Sequence, residues 1–177
     1  MYNYNRIPNL YFPWGTEMDL LERKRDRLRA AIQGGDDDAT TRLLLDDQRL
    51  SRWGLEYAVE FDRPPLIRQF LEQGQKFILD HGLTAIAMGR FDTFKLMLTG
   101  GDTWWDGRPT VQDFALLMPH ATKHHQPAMV ELLLDQGAEV NRGDPAIGSP
   151  LHYAAFHSDL AIATLLKARG AVVEAPN

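Results

Sequence analysis

The chain contains no cysteine, which removes disulfide staples, thiolate catalysis and cysteine-based zinc sites together. No stretch approaches the ~20 apolar residues of a membrane-spanning helix. The first residues carry Arg6, Pro8 and Pro13 where a secretion signal needs an apolar core. The expectation is therefore no membrane, and an intracellular home in cytoplasm or nucleus. A positive excess is missing too: 19 Lys and Arg stand against 24 Asp and Glu, a net charge of −5, so the balance gives no support to nucleic-acid binding. There is no phosphate-cradling glycine loop, no Gly-x-Ser-x-Gly and no His-Glu-x-x-His, so neither a cofactor nor a metal is expected from motifs. What remains is 177 residues that are 44% hydrophobic, enough for one ordinary soluble domain with a continuous core.

What the chain does have is internal repetition. At an offset of 33 residues, Leu132 falls on Leu165, Leu133 on Leu166, Gly137 on Gly170, Ala138 on Ala171, Ala121 on Ala154 and Ala128 on Ala161. All are positions where stacked helix pairs need an apolar, small or turn residue. Pro150 suits a first helical turn, where its missing N–H is unpaired anyway. Leu151, Ala154 and Ala155 put one apolar and two small side chains on one face. Leu160, Ile162, Ala163, Leu165 and Leu166 give the following helix a wide apolar stripe, and Gly170 can take the left-handed conformation that ends it.

The run Ser149-Pro150-Leu151-His152-Tyr153-Ala154-Ala155, set in that period, resembles an ankyrin repeat, whose signature is Thr-Pro-Leu-His-x-Ala and whose period is about 33 residues. Ser149 replaces the threonine and keeps a hydroxyl able to bond at a helix start. The resemblance implies an all-α ankyrin-repeat solenoid of stacked helix-turn-helix pairs with short β-hairpin-like loops, and a structural His152 bonded to loop backbone.

Taken in order, residues 1–17 show no helical period and hold Tyr2, Tyr4, Tyr11, Phe12 and Trp14. They read as an extended aromatic arm, or as a partner-binding peptide. Residues 18–177 then read as the repeat domain, in units of about 18–48, 49–74, 75–101, 102–137 and 138–174. Thr16 followed by Asp19 marks the first helix start. Arg23, Lys24, Arg25, Arg27 and Arg29 interleave with Glu22 and Asp26, the pattern of a solvated outer face. Ala58 and Ala85 align with Ala154. Only 27 residues separate Gly74 from Gly101, which predicts a shortened loop there, whereas 36 separate Gly101 from Gly137, which predicts a lengthened one around Trp104 and Trp105. Pro119 falls where His152 does and leaves the start of that helix open.

Two functional readings follow. By resemblance, ankyrin-like proteins bind a protein partner along a concave groove, lined by the projecting loops and by the two residues after each Ala-Ala pair. In this chain those positions are Glu60 and Phe61, Ala87 and Met88, Lys123 and His124, and Phe156 and His157. The loops add Trp104, Trp105, Arg108, Arg142 and Asp144. The set is rich in aromatic and arginine side chains, which concentrate binding energy at interfaces. The alternative is a small enzyme holding a metabolite in that groove, with His120, His124 or His157 moving protons near neutral pH. His120 and His124 are four apart and share a helix face; His124 and His157 are one period apart, a pair able to share a metal or a proton. Asp113 or Asp144 would then be the orienting carboxylate.

Overall fold

The computed structural model describes residues 13–100, 105–106, 111–143 and 148–173, with side chains from residue 18 onward except at 111–112. Ten α-helices and one 3-10 turn make up the regular structure, and no strand occurs among the described residues. The chain is all-α, as its helical periodicities require. It divides into two compact units, Met1–Gly54 and Leu55–Asn177.

The first unit holds α1 (Pro13–Gly34), α2 (Asp37–Asp46), the 3-10 turn (Gln48–Leu50) and the start of α3 (Ser51–Glu60). Helix α1 begins inside the stretch expected to be an extended arm, because proline's fixed φ and absent N–H suit a helix's first position. Residues 1–12 of that arm, with Tyr2, Tyr4, Tyr11 and Phe12, lie outside the described residues. Helix α1 packs on α2, and Leu28, Ile32 and Leu50 are buried. Asp36 caps α2 by accepting the Ala39 N–H at 2.8 Å. The basic stretch of α1 is partly neutralised locally. Lys24 Nζ lies 2.6 Å from Asp46 and 3.6 Å from Asp47, and Arg25 lies 3.5 Å from Asp26. Asp47 also accepts the Arg49 guanidinium at 2.8 and 2.9 Å and its backbone N–H at 3.2 Å. Those bonds hold its carboxyl well below the usual carboxylate range.

The second unit continues from α3 through α4 (Pro64–Glu72), α5 (Leu79–Ala87), α6 (Phe91–Thr99), α7 (Val111–Lys123), α8 (Pro127–Asp135), α9 (Pro150–Phe156) and α10 (Leu160–Ala168). Its helices pack in two rows. One row runs α5 on α7 and α7 on α9; the other runs α4 on α6, α6 on α8 and α8 on α10. Within each pair the rows meet, α5 on α6, α7 on α8 and α9 on α10. Between them sit Ile67, Phe70, Phe77, Ile86, Phe94, Met97, Leu117, Met118, Met129, Leu133, Ile162 and Leu166, all at most 1% exposed. Each such side chain contributes about 1.5–3 kcal/mol of burial.

The turn joining the two helices of a pair recurs four times. Its central residue has positive φ in each case: Asp62 (55°), Gly89 (66°), His125 (54°) and Ser158 (55°). The next N–H then folds back onto a helix carbonyl: Arg63 on Ala58, Arg90 on Ala85, Gln126 on Ala121, and Asp159 on Ala154, at 2.8 to 3.0 Å. All four alanines are 0% exposed, which is why only a methyl side chain fits. This is a six-to-one helix termination closed by a left-handed residue. Successive turns are also tied together. Arg90 Nε donates to the Glu60 carbonyl at 2.9 Å, Thr93 Oγ1 donates to Asp62 at 2.6 Å, and His125 Nδ1 lies 2.8 Å from Asp159 Oδ2. Gly89 serves a second purpose, since a Cβ there would come within 3.1 Å of the Gln126 side-chain amide.

Two length expectations resolve differently. The linker at 73–78 is short, in keeping with the compressed interval before Gly101. Part of the additional length of the next interval enters helix α7, which has 13 residues against 9 in α5 and 7 in α9; most of the loop before it lies outside the described residues. Pro119 thus lies inside α7 and is no helix start. A proline at an interior position removes one backbone bond and costs about 3 kcal/mol; the burial of Leu117, Met118 and Ala121 around it is what holds the helix through it. Among the described residues, a parallel bridge from Phe77 to Trp105 joins the loops before α5 and α7.

Candidate functional site

The expected groove residues fall into three groups. Trp104, Arg108 and Asp144 lie outside the described residues. Trp105 is described and does not serve as a contact residue: it is 6% exposed, its Nε1 donates to the Met97 carbonyl at 2.8 Å, and its ring stands 5.7 Å from that of Phe77. The Asp106 N–H donating to Phe77 O at 2.9 Å holds the loop so that the indole turns inward. Arg142 is exposed and sits 3.6 Å from Glu139.

The third group comes together at the ends of the α5–α7–α9 row. Met88 follows α5, Lys123 and His124 close α7, and Phe156 and His157 close α9. Met88 is 51% and Phe156 84% exposed; Lys123 is exposed, and His124 and His157 are half-buried. Leu116, on α7, adds a further apolar side chain at 44% exposure. Among these, Phe156 touches the His157 ring edge-on at 5.1 Å.

The histidines pair, though not as the 33-residue register suggests. His124 stacks back on His120 with ring centres 4.5 Å apart, because helical side chains lean toward the N-terminus and meet at i and i+4. The partner of His157 is therefore His125, at 5.7 Å, with the Tyr153 ring stacked behind at 6.1 Å. The sequence places His125 in the same cluster of histidines as His120 and His124 without giving it a role. Its signal was its place one residue before the six-to-one closure, equivalent to Asp62, Gly89 and Ser158. Burial, then the neighbouring His124 and Lys123 charges, push the His120 ring below its ordinary pKa, although a hydrogen bond donated to the Leu83 carbonyl opposes this. Burial, Lys123 and His125 likewise lower His124. Both imidazoles are thus neutral at pH 7.

His152 Nδ1 is 3.0 Å from Ser149 Oγ and its ring covers Gly148, a local helix-start contact. His81 also has a fixed structural role, being buried with its Nδ1 accepting the Ile78 N–H at 3.0 Å. Among the described residues no group of three His, Asp or Glu side chains converges as metal ligands. A cleft of about 180 Å³ is lined by Ala154, Ala155, Ser158, Asp159, Leu160 and Ala163, and by none of His120, His124 and His157. No described helix is long and apolar enough to cross a membrane. Compared with known proteins, the chain matches no family model and no curated sequence.

Proposed function

We propose that the chain is an ankyrin-like array that binds a protein partner along the ends of α5, α7 and α9. Support comes from the two-row packing of the second unit and from the four-fold recurrence of an alanine-closed left-handed turn. The observation that carries the binding reading is Phe156, a large ring 84% exposed on the same row as Met88, Lys123 and His124. Aromatic side chains of this kind anchor interfaces when a partner pocket covers them. The scaffold beneath is packed and hydrogen-bonded, so little ordering entropy opposes association.

The test compares two triple variants as bait in cell extract. Phe156→Ala, Met88→Ala and Lys123→Ala together remove the face; Glu72→Ala, Lys95→Ala and Glu131→Ala alter exposed positions on the α4–α6–α8 row. The first set is expected to abolish capture of a partner that the second set retains. Equal retention by both, with unchanged circular dichroism, refutes the assignment of the face.

A further inference from the structure

We infer that the stacking face of the last described helix pair, α9 and α10, docks a second copy of this chain, related by a two-fold axis and bound through the same face. The inference stands apart from the partner-binding reading, which uses the row ends, and would survive its failure.

Repeat register shows what is unusual about this pair. The residue after each turn-closing alanine is Val59, Ile86, Thr122 or Ala155; the first three are 0% exposed, whereas Ala155 is exposed. The fourth residue of each second helix is Ile67, Phe94, Val130 or Ala163. Again the first three are 0% exposed, and Ala163 is only half-buried. At both positions the last described pair has alanine where the others have a larger side chain, and between these alanines lies the cleft of about 180 Å³. An apolar hollow of about 150 Å³ takes a benzene ring, so this cleft has room for one large side chain. Leu160, on its rim, is 78% exposed. One face thus carries both a hollow and a projecting apolar side chain. A two-fold contact needs that combination, because each surface must complement itself: Leu160 of each copy enters the hollow of the other.

Charge is the second observation, and it favours a copy of the same chain. Across a two-fold axis like meets like, so a charged face would repel itself. On α8, Glu131 and Asp135 hold Arg169 of α10 at 3.1 and 2.8 Å. One period later α10 has Thr164 and Ala168, so these carboxylates are not repeated. The carboxylate that does line the hollow, Asp159, has a side chain only 12% exposed and engaged by His125 at 2.8 Å. Ser158 replaces the Asp62 and His125 of the earlier turns, each of which reaches the next pair. It is exposed, and a hydroxyl that both donates and accepts can meet its own copy. The docking also continues the packing within the chain, where α7 meets α9 and α8 meets α10. Helices of 7 and 9 residues offer a face only about 12 Å by 20 Å. That is small for an interface, so the expected Kd is about 10–100 μM.

The experiment is analytical ultracentrifugation of the full chain from about 1 μM to about 500 μM, a range that brackets this Kd. The average mass should rise with concentration and level off at twice the monomer. Ala155→Glu, which sets two carboxylates face to face, and Leu160→Asp, which removes the projecting side chain, should each weaken association about tenfold or more. Lys95→Ala, at an exposed position of α6, should leave it unchanged. A crosslinking arm keeps the test open should a variant misfold. The chain has no cysteine, so Ser158→Cys and Lys95→Cys each introduce a single thiol; a short bis-maleimide should link the first into a dimer and leave the second monomeric. A chain that stays monomeric at the highest concentration, its face covered by its own residues beyond 173 or kept for a different protein, overturns the proposal. So does a mass that climbs past the dimer, which marks head-to-tail growth, and so does equal crosslinking of the two cysteine variants.

Discussion

Replacing Ala85 by leucine tests the packing on which the second unit rests. Ala85 is 0% exposed, its carbonyl closes the turn by accepting the Arg90 N–H at 2.8 Å, and its helix packs against α6 and α7. A leucine there adds three carbons to filled space, and overpacking of this kind costs about 1–3 kcal/mol. The control is Ala87→Leu on the same helix, two residues later and exposed. Leucine and alanine differ by only a few tenths of a kcal/mol in helix propensity, a contribution common to both variants. Substitution at an exposed site stays within about 0.5 kcal/mol, so the two should differ by about 2 kcal/mol. For a chain of 177 residues that difference corresponds to about 4–8 °C in Tm. Urea unfolding followed by far-ultraviolet circular dichroism reads it directly, as a lower midpoint at unchanged slope. If Ala85→Leu and Ala87→Leu unfold at the same urea concentration, the helices do not meet at that alanine and the two-row packing is wrong.

Three further outcomes follow from the same contacts. Trp105→Phe keeps one six-membered ring but loses the bond to the Met97 carbonyl and the volume of the five-membered ring, costing about 1–3 kcal/mol; Trp105→Ala leaves a larger cavity and costs about 3–5 kcal/mol, and both effects are measured by urea midpoints. Burial holds the His81 pKa below its ordinary value, so on acidification the unfolded chain takes up the proton first. Stability is then complete above pH ~6.5 and declines as pH falls from there toward the folded pKa. His81→Gln should flatten that decline in urea midpoints between pH 7.5 and 5, and an unchanged slope would show the ring is not the titrating group. Asp159→Ala removes the acceptor of the Ile162 N–H at the start of α10 as well as the partner of His125, and should cost about 1 kcal/mol or somewhat more by thermal unfolding.

The features legible in the sequence were those fixed by local physics. Gly74, Gly137 and Gly170 announce helix ends, and each has φ near 90°, a conformation glycine reaches at no steric cost. Pro64, Pro127 and Pro150 each open a helix. Alanines 58, 85, 121 and 154 betray close approach wherever they recur. What escaped depended on contacts between distant residues. Nothing near Trp105 says that its indole finds the Met97 carbonyl, and nothing in the spacing of Gly101 and Gly137 says whether added residues lengthen a loop or a helix. Register placed His124 beside His157, but it counts residues and ignores the direction side chains lean. The i to i+4 spacing already legible in the sequence gives His124 to His120, whereas the contact of His157 with His125 was not legible.

The left-handed turn residues explain how an array can vary so much in sequence while keeping its turns. A non-glycine residue at positive φ costs about 1–2 kcal/mol, and glycine would avoid it, yet only Gly89 of the four is glycine. Asp62 instead accepts a hydrogen bond from Thr93 of the following pair, and His125 reaches Asp159 of its own following pair, at 2.6 and 2.8 Å. Each side chain therefore offsets the strain of its backbone by a bond to the neighbour, a bond that glycine cannot make. Where glycine does occur, the link changes direction: Gln126 of the following pair reaches back over Gly89, and Arg90 beside it reaches back to the Glu60 carbonyl. The turn is thus a site of contact between pairs as much as a chain reversal. At Asp62, Gly89 and His125 the residue is constrained by what the next pair presents, so these positions can differ in type without being free to drift; Ser158, in the last described pair, is exposed.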